Sequence, residues 1–584
     1  MSAALATDAL ADGCALAIRD AFADYHARFA QITRRARGHF EQRDWPAARA
    51  DAVARIALYD RCVQEISQAL EGHLGARAQE RGLWSGIRDR YAALVAPLLD
   101  QELYKTFFNT LTRRFFRTQG VAADIEFVAL EIEPTDRITI PVARHSYAVS
   151  SELAASFARV LGDFPFAPGY ADLAGDASAL AAAWRERTDN ADADPVLALE
   201  LLQTVFYRER RAYLVGRIFQ RERYMPCVIV LVNGAEGVRV GALLLTRHHV
   251  AVLFGYAHSY FHADLPTVGD AVVFLRTLLP GKPLDEIYTV LGRAKQGKTE
   301  RYRHFFRHLQ AHPGECLRAA DGERGMVMAV FTLPSYPLVF KVIRDEFGFP
   351  KQSDREEVRG KYSLVFHHDR VGRLIDAQEY RHLRFPRVQF EPALLRELLD
   401  GCRLSVSAEG QDIVVHHCYV ERRLRPLNLY VRESTDEVAL AAILDYGQAI
   451  KDLARSNIFP GDLLFKNFGA TRHGRAVFYD YDELCLVTQC RFRVLPEPRN
   501  DEEEMHHGAW YHVADADVFP EQFPRFLGMT PAQREALLAA HGEIFQVGWW
   551  QALQAQLRAG ELVDVPPYPE ALRVPGPTPM HVLA

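Results

Sequence analysis

Apolar residues recur three and four positions apart in ALAIRDAFADYHARFAQITRRA and ARADAVARIALYDRCVQEISQALEGHL, with Ala, Leu, Arg and Glu between them. That is the period of an amphipathic helix, so residues 3–120 read as helical. QELYKTFFNTLTRRFF (101–116) continues the pattern with an aromatic face, read as packing surface. The period then changes. IEFVALEIEP and RITIPVA predict strands, and CVIVLVNGAEGVRVGALLLTRHHVAVLFGYA predicts a β-meander over about 225–260 whose first turn is Asn233-Gly234. Helical segments are expected near 150–160, over 194–223 (ending in Arg208, Arg210 and Arg211) and over 284–311.

From about 315 the texture shifts again. CLRAADGERGMVMAVFTL and YPLVFKVIRD predict β-structure, and DREEVRGKYSLVFHHDRVGRLIDAQEY predicts a helix. QDIVVHHCYVERRLRPLNLYV reads as strand then turn, VALAAILDYGQAIKDLARSN as helix, 520–560 as helical, and the Pro-rich 564–584 as an extended strap. The best boundary lies at 312–318, giving domains 1–314 and 315–584. The fold class is α+β: a mainly helical domain carrying a β-meander, followed by a second, mixed domain.

A chain of 584 residues exceeds what one compact core supports. Its 69 Lys+Arg against 75 Asp+Glu leave a formal charge of −6, which argues against a protein that coats nucleic acid. Eight scattered cysteines without a CxxC pair argue against a disulfide framework or structural zinc and favour a reducing cytoplasm. The longest apolar runs, CVIVLV and GALLLT, fall far short of the ~18 residues that span a bilayer. Asp8 and Asp12 interrupt the stretch where a signal peptide needs a basic start and apolar core. The expectation is a cytoplasmic protein with no membrane or nucleic-acid partner.

Four signals could carry phosphate chemistry. GRAKQGKT (292–299) formally matches a nucleotide loop, but PLDEIYTVLG before it has helical spacing, so the expected reading is a solvated basic helix turn. Cys485 and Arg491 have the spacing of a cysteine-phosphatase cradle, yet LVTQC between them lacks the glycines that would wrap a phosphate. Asp480-x-Asp482 at the end of VFYDYDEL resembles the aspartate pair of another phosphatase class, with Leu484 where Thr or Val is usual.

The fourth signal is a series in one consistent order. GERGMVMAVF offers a phosphate-covering turn, and Lys341 lies mid-strand among apolar neighbours, needing an anionic partner that Glu356 or Glu357 can supply. HHCYVERRL (416–424) is a candidate hinge strand for adenine, followed by Asp462-x4-Asn467 and then Asp480. Phosphoryl transfer from ATP needs that order: Lys on the phosphates, Asp at the hydroxyl, Asn and a strand-end Asp on magnesium. The second domain is therefore read as protein-kinase-like and bilobal.

ERGMVMAVFTLPSYPLVFKVI, FHHDRVGRLIDAQEY, FPGDLLFKNFGATRHGR and VFYDYDE, with TFFNTLTRRFF and KQGKTERYR earlier, resemble the bacterial isocitrate dehydrogenase kinase/phosphatase family over nearly the whole chain. The resemblance implies one enzyme that phosphorylates a serine of isocitrate dehydrogenase and removes that phosphate, controlling flux between the citric acid cycle and the glyoxylate bypass. It implies a helical regulatory domain ahead of the kinase domain, ATP and Mg2+ as requirements, and AMP as allosteric effector; a homodimer is left open. By matching positions, the nucleotide loop comprises Ala320, Asp321, Gly322, Glu323, Arg324, Gly325 and Met326, and Lys341 contacts ATP. Asp376 matches the Asp linked to phosphatase activity, Asp462 the base or orienter for the substrate serine, Lys466 a residue steadying the phosphate, and Asn467 with Asp480 the magnesium ligands.

Departures from ordinary protein kinases are informative. GERG replaces the full glycine loop, Pro460-Gly461-Asp462 replaces His-Arg-Asp, Asp480-Tyr481-Asp482 replaces Asp-Phe-Gly, and no Ala-Pro-Glu occurs. Asp482 and Asp376 are extra carboxylates that could position water for the reverse step. The bland alternative for Asp376 is a helix-surface carboxylate paired with Arg370 or Arg373. Histidine pairs at 248/249, 367/368, 416/417 and 506/507 make poor chelators, because adjacent strand residues face opposite sides. NDEEEMHH (500–507) reads as a charged surface loop. The rivals are an aspartate-nucleophile phosphatase built on Asp480 and Asp482, and a nucleotide-sensing pseudokinase scaffold.

Overall fold

Ile18, Phe22, Tyr25 and Phe29 line the buried face of the first helix, at the spacing the sequence predicts. The structure, a computed structural model, describes residues 2–127, 142–149, 152–188, 196–221, 223–255, 260–348, 353–368, 370–496 and 512–574. The chain forms two compact units: Met1–Gln310 with Pro566–Leu583, and Ala311–Val565.

In the first unit, α1 (Ser2–Gln42), α2 (Trp45–Leu74), α3 (Arg81–Val95) and α4 (Gln101–Phe116) pack together. Rings of Phe22 and Tyr59 meet Phe107 at 5.2 and 5.6 Å between centroids, so the aromatic face of α4 is core. Asp44 caps α2 by accepting the Ala47 N–H at 3.0 Å.

β1 (Arg144–Ala148), β2 (Ala198–Leu202), β3 (Phe206–Arg208), β4 (Arg211–Phe219), β5 (Tyr224–Gly234) and β6 (Gly237–Leu244) form one antiparallel sheet. Its order is β1-β2-β4-β5-β6, with β3 also on β4. The 194–223 segment, expected as helix, is therefore β2 to β4 in its described part. In β4 every residue from Arg211 to Gly216 is buried, with Leu214 and Val215 on opposite faces, and burial on both faces removes the alternation that marks a strand. Gly216 allows the close approach of β2, since an added Cβ would lie 1.8 Å from the Glu200 carbonyl oxygen.

The meander is also corrected. Asn233 pairs with Val238 and Gly234 with Gly237, so Ala235-Glu236 makes the turn. The Asn233 amide instead donates to the carbonyls of Phe40 and Glu41 at the end of α1, at 2.8 and 3.0 Å. The strand character ends at Leu244, and Arg247–Leu253, with His248 and His249, is a helix capped by Thr246. Of the two strands predicted at 125–143, residues 128–141 lie outside the described residues.

Leu284–Val290 and Ala294–Ala311 are helices, and GRAKQGKT runs from the short turn between them into the second, where a nucleotide loop needs a preceding strand. Nor is that stretch solvated. Gln296, Gly297, Glu300 and Arg301 are buried, and Arg301 Nε donates to Asp285 at 2.7 Å. The tail departs from the expected 315–584 boundary: Val574 N donates to the Gly241 carbonyl at 3.1 Å, and Arg187 to that of Leu572 at 3.3 Å, both within the first unit.

The second unit opens with β7 (Arg318–Ala319), β8 (Met328–Thr332), β9 (Leu338–Ile343), β10 (Gln378–Pro386), β11 (Val406–Glu409) and β12 (Asp412–Arg422). They form an antiparallel sheet in the order β10-β12-β9-β8-β7, with β11 on β12. Phe331 stacks on Phe340 at 5.1 Å, and Phe385 closes on both to make the core of one face. Arg355–His368 is a helix, but it stops there, and the predicted helix over 354–380 gives way to a connector and then β10. Leu374 in that connector bridges to Phe478, which commits it to extended backbone.

After β12 the chain becomes mainly helical. Asp436–Arg455 buries Ile443, Tyr446, Ile450 and Leu453, and Tyr446 meets the rings of Phe465 and Phe468 at 4.9 and 4.8 Å. β13 (Arg425–Pro426), β15 (Phe468–Ala470) and β16 (Ala476–Phe478) make a small sheet, and β14 (Ile458–Phe459) pairs with β17 (Cys485–Leu486). Buried Arg373 locks the connector to the long helix, with Nη1 2.7 Å from Asp445 and Nε 2.8 Å from Asp452. The same Nη1 donates to the Ala476 carbonyl at 3.0 Å. Among the described residues no helix is long and apolar enough to cross a membrane.

Candidate active site

Lys341 on β9 stands opposite Tyr419 on β12, and Glu421 follows two residues on, so all three share one face of the sheet. Its Nζ lies 2.8 Å from Glu421 Oε2 and donates to the Tyr479 carbonyl at 2.7 Å. Both side chains are nearly sealed, 7% and 1% exposed, which is where a cation requires an anion. The sequence reading is corrected here: the partner is not Glu356 or Glu357. Those carboxylates are exposed at the helix start, and the face turned to the sheet carries Tyr362, stacked on Tyr419 at 3.7 Å.

The hairpin β15–β16 brings the metal candidates together. Its register ends at Phe468 and Phe478, so Asn467 and Asp480 lie just beyond the last pair, joined by the bond from Tyr479 N to the Asn467 carbonyl at 3.1 Å. Asp482 follows on a single helical turn, Tyr481–Glu483. Asn467 Nδ2 donates to the Asp462 carbonyl at 3.1 Å, which fixes the amide and leaves its oxygen for a cation. Gly461 precedes Asp462 with φ +83°, and an added Cβ there would lie 2.7 Å from the Glu483 carbonyl oxygen. Only glycine permits that turn.

The loop between β7 and β8 closes the site from above, with Gly322 at φ +120°. Three ion pairs hold it: Asp321 with Arg425 at 3.0 Å, Glu323 with Lys466 at 3.1 Å, and Arg324 with Glu397 at 2.9 Å. Burial alone would raise Glu397, but Arg344 and Arg324 outweigh it and hold the carboxyl below its ordinary range. Burial, then the charge of Asp480, pushes the Tyr479 phenol up, and its hydroxyl donates to the Lys466 carbonyl.

These parts enclose a cavity of about 670 Å³. Every candidate from Ala320 through Met326, with Lys341, Asp462, Lys466, Asn467, Asp480 and Asp482, lines it; Asp376 does not, although its neighbour Ile375 does. Asp376 lies on the connector and not on a helix, and its Oδ2 accepts from Gln378 Nε2 at 3.0 Å. Arg373 is occupied by Asp445 and Asp452, so the pairing expected of it in the bland reading is not made. Tyr481 O–H donates to the Ile375 carbonyl at 2.6 Å, tying the Asp376 connector to the turn that carries Asp482.

The competing signals separate here. Cys485 pairs within β17 while the Arg491 side chain turns to Asp517, so no phosphate cradle forms. Asp480 ends an edge of a small antiparallel sheet and not a strand of a doubly wound parallel one. His416 and His417 do face opposite sides, towards Ser407 at 2.9 Å and Glu379 at 3.2 Å. The side chains of His367 and His368, and all of 500–507, lie outside what is described. Among the described residues no three His, Cys, Asp or Glu side chains cluster for a metal. The donor set at the cavity is two carboxylates and an amide, the oxygen donors that magnesium takes beside phosphates.

Comparison with known proteins agrees with this geometry. The family profile described as isocitrate dehydrogenase kinase/phosphatase (AceK) kinase domain matches residues 315–570, and that described as the regulatory domain matches 15–313. The chain belongs to the isocitrate dehydrogenase kinase/phosphatase family. A protein of that name from Xanthomonas campestris pv. campestris is 59% identical over 559 residues, covering 96% of each chain. One from Xanthomonas euvesicatoria pv. vesicatoria is 59% identical over 561 residues, covering 96% of this chain and 97% of the other. One from an Anaeromyxobacter species is 47% identical over 570 residues, covering 97% and 98%. Glu421, Glu397 and Arg425 also line the cavity, and sequence reasoning does not single them out.

Proposed function

We propose that this chain transfers the γ-phosphoryl group of ATP to a serine of isocitrate dehydrogenase and removes it again in the same cavity, controlling flux between the citric acid cycle and the glyoxylate bypass. The observation that carries this reading is the convergence of Lys341, Asp462, Asn467 and Asp480 on one cavity beneath the 320–326 loop. Lys341, oriented by Glu421 and the Tyr479 carbonyl, holds the inner phosphates. Lys466 steadies the transferring group and must exchange Glu323 for a phosphate oxygen to do so. Asp462 accepts or orients the proton of the serine hydroxyl.

Asn467 and Asp480, with Asp482 beside them, would hold magnesium, which supplies neutralisation of phosphate charge when bound. In the reverse direction Asp482 positions water, with Asp376 acting on it through the Ile375–Tyr481 tie; the water oxygen bonds to phosphorus as the serine oxygen leaves and takes up a proton, and inorganic phosphate is released. AMP acts as an effector through the regulatory domain, and the enzyme works in the cytoplasm on a soluble protein substrate.

The test is incubation with isocitrate dehydrogenase, ATP and magnesium, with and without AMP, following phosphoserine. Appearance of phosphoserine, and its loss when phosphorylated substrate is supplied, is the expected result. Phosphate removal without any adenine nucleotide, with a trapped acyl-phosphate, would instead favour the aspartate-nucleophile reading. Nucleotide binding without turnover would favour a sensing scaffold.

A further inference from the structure

Cys485 and Cys490 lie with their sulfurs 3.6 Å apart, at the two ends of one short turn. Cys485 is partly exposed and Cys490 is 6% exposed, the arrangement of a reachable thiol backed by a buried one. The hydrogen bond from Cys490, helped by Lys361, outweighs burial and lowers the Cys485 thiol below its ordinary range, favouring the reactive thiolate. The turn between them is fixed from outside. Gln554 donates to the carbonyls of Val487 and Cys490 at 2.6 and 2.8 Å, and the Asn457 side chain accepts from Thr488 N at 3.0 Å.

This pair is wired to the candidate site on both sides. Cys485 follows Asp482 by three residues and pairs with Phe459, which leads directly into Pro460, Gly461 and Asp462. Gly461 already lies so near Glu483 that an added Cβ would come within 2.7 Å of its carbonyl oxygen. Closing two sulfurs from 3.6 Å to the ~2.05 Å of a disulfide draws β17 inward, and β14 with the Asp462 turn is its immediate neighbour.

We propose that Cys485 and Cys490 are a reversible oxidation site for peroxide, and that the disulfide shifts the segments carrying Asp462 and Asp482. The Cys485 thiolate attacks one peroxide oxygen, so that an S–O bond forms as the O–O bond breaks; the departing hydroxide takes up the proton that the thiol had released and leaves as water, giving a sulfenic acid on Cys485. The Cys490 sulfur then displaces that hydroxyl as a second water, so two thiols and one H2O2 become one disulfide and two waters. A cellular dithiol reverses the step. The consequence for phosphoryl transfer rests on the function proposed above; the disulfide and the backbone shift do not.

The experiment uses the full chain, reduced and then exposed to hydrogen peroxide. Three readouts follow: non-reducing peptide mass spectrometry, amide hydrogen exchange at Ile458, Phe459, Gly461 and Asp462, and ATP-dependent labelling of isocitrate dehydrogenase. The expected result is a Cys485–Cys490 cross-linked peptide, altered exchange at those amides, and a loss of labelling on the order of tenfold, all reversed by dithiothreitol. Cys490→Ser should leave Cys485 as a sulfenic acid captured by dimedone, with no cross-link, and Cys485→Ser should show neither. Cysteines that stay alkylatable in peroxide, or a cross-link that leaves the exchange unchanged, would overturn the proposal. A reduced enzyme that labels nothing would refute the proposed function instead, while the cross-link and exchange still decide this one.

Discussion

The ammonium group of Lys341 is paired with Glu421 across two adjacent strands, 2.8 Å apart, and not with a carboxylate from the helix that follows its strand. Both partners are buried, so removing one leaves an uncompensated charge. Glu421→Ala is expected to lower stability by about 3–5 kcal/mol. Glu421→Gln, which keeps the volume and an acceptor oxygen, should cost less while raising the KM for ATP. Thermal unfolding and ATP-dependent kinetics on the two variants check this.

Asp376 sits outside the cavity lining, yet its connector is tied to the Asp482 turn through Tyr481 and Ile375. Asp376→Ala should therefore reduce phosphatase activity by about 10²-fold or more while the kinase rate changes little. Equal loss in both directions, measured on the same preparation, would sink selectivity for the reverse step.

Arg373 holds Asp445, Asp452 and the Ala476 carbonyl at once, and its surroundings are buried. Arg373→Ala should destabilise the second unit by about 3–5 kcal/mol. Arg373→Lys should rescue little, because an ammonium cannot reproduce a fork that reaches two carboxylates. Differential scanning calorimetry on both variants distinguishes the fork from charge alone.

Burial, with the nearby charge of Asp100 adding to it, pushes the Glu102 carboxyl from its ordinary 4.5 up to about 7. Its folded pKa is raised, so between those two values the native state keeps a proton that the unfolded chain has released. The stability it contributes is present below pH 4.5 and is lost as pH rises towards 7, by at most about 1.4 kcal/mol per pH unit. Glu102→Gln should remove that slope, and melting temperatures of the first unit across this range will show it.

Where one side of an element was solvated, the sequence was readable. The spacing of Ile18, Phe22, Tyr25 and Phe29 marks α1, and the order Lys341, Asp462, Asn467, Asp480 picks out four residues that line one cavity. Elements buried on both sides were not readable. β4 lost the alternation that would have separated it from a helix, because Leu214 and Val215 are buried on its opposite faces. The 354–380 segment kept helical spacing past His368, but Leu374 had a strand partner a hundred residues away. Glu421 failed for the same reason. Its pairing with Lys341 is a sheet neighbour relation between β9 and β12, and nothing local to either residue states it.

The account rests on one cavity serving both directions of phosphate transfer. Asp480→Asn, nearly isosteric and placed just beyond the β15–β16 register, tests it by measuring phosphorylation and dephosphorylation of isocitrate dehydrogenase on one preparation. The account predicts that both rates fall by on the order of 10²-fold or more. A dephosphorylation rate equal to that of the unaltered protein, beside a lost kinase, would contradict it.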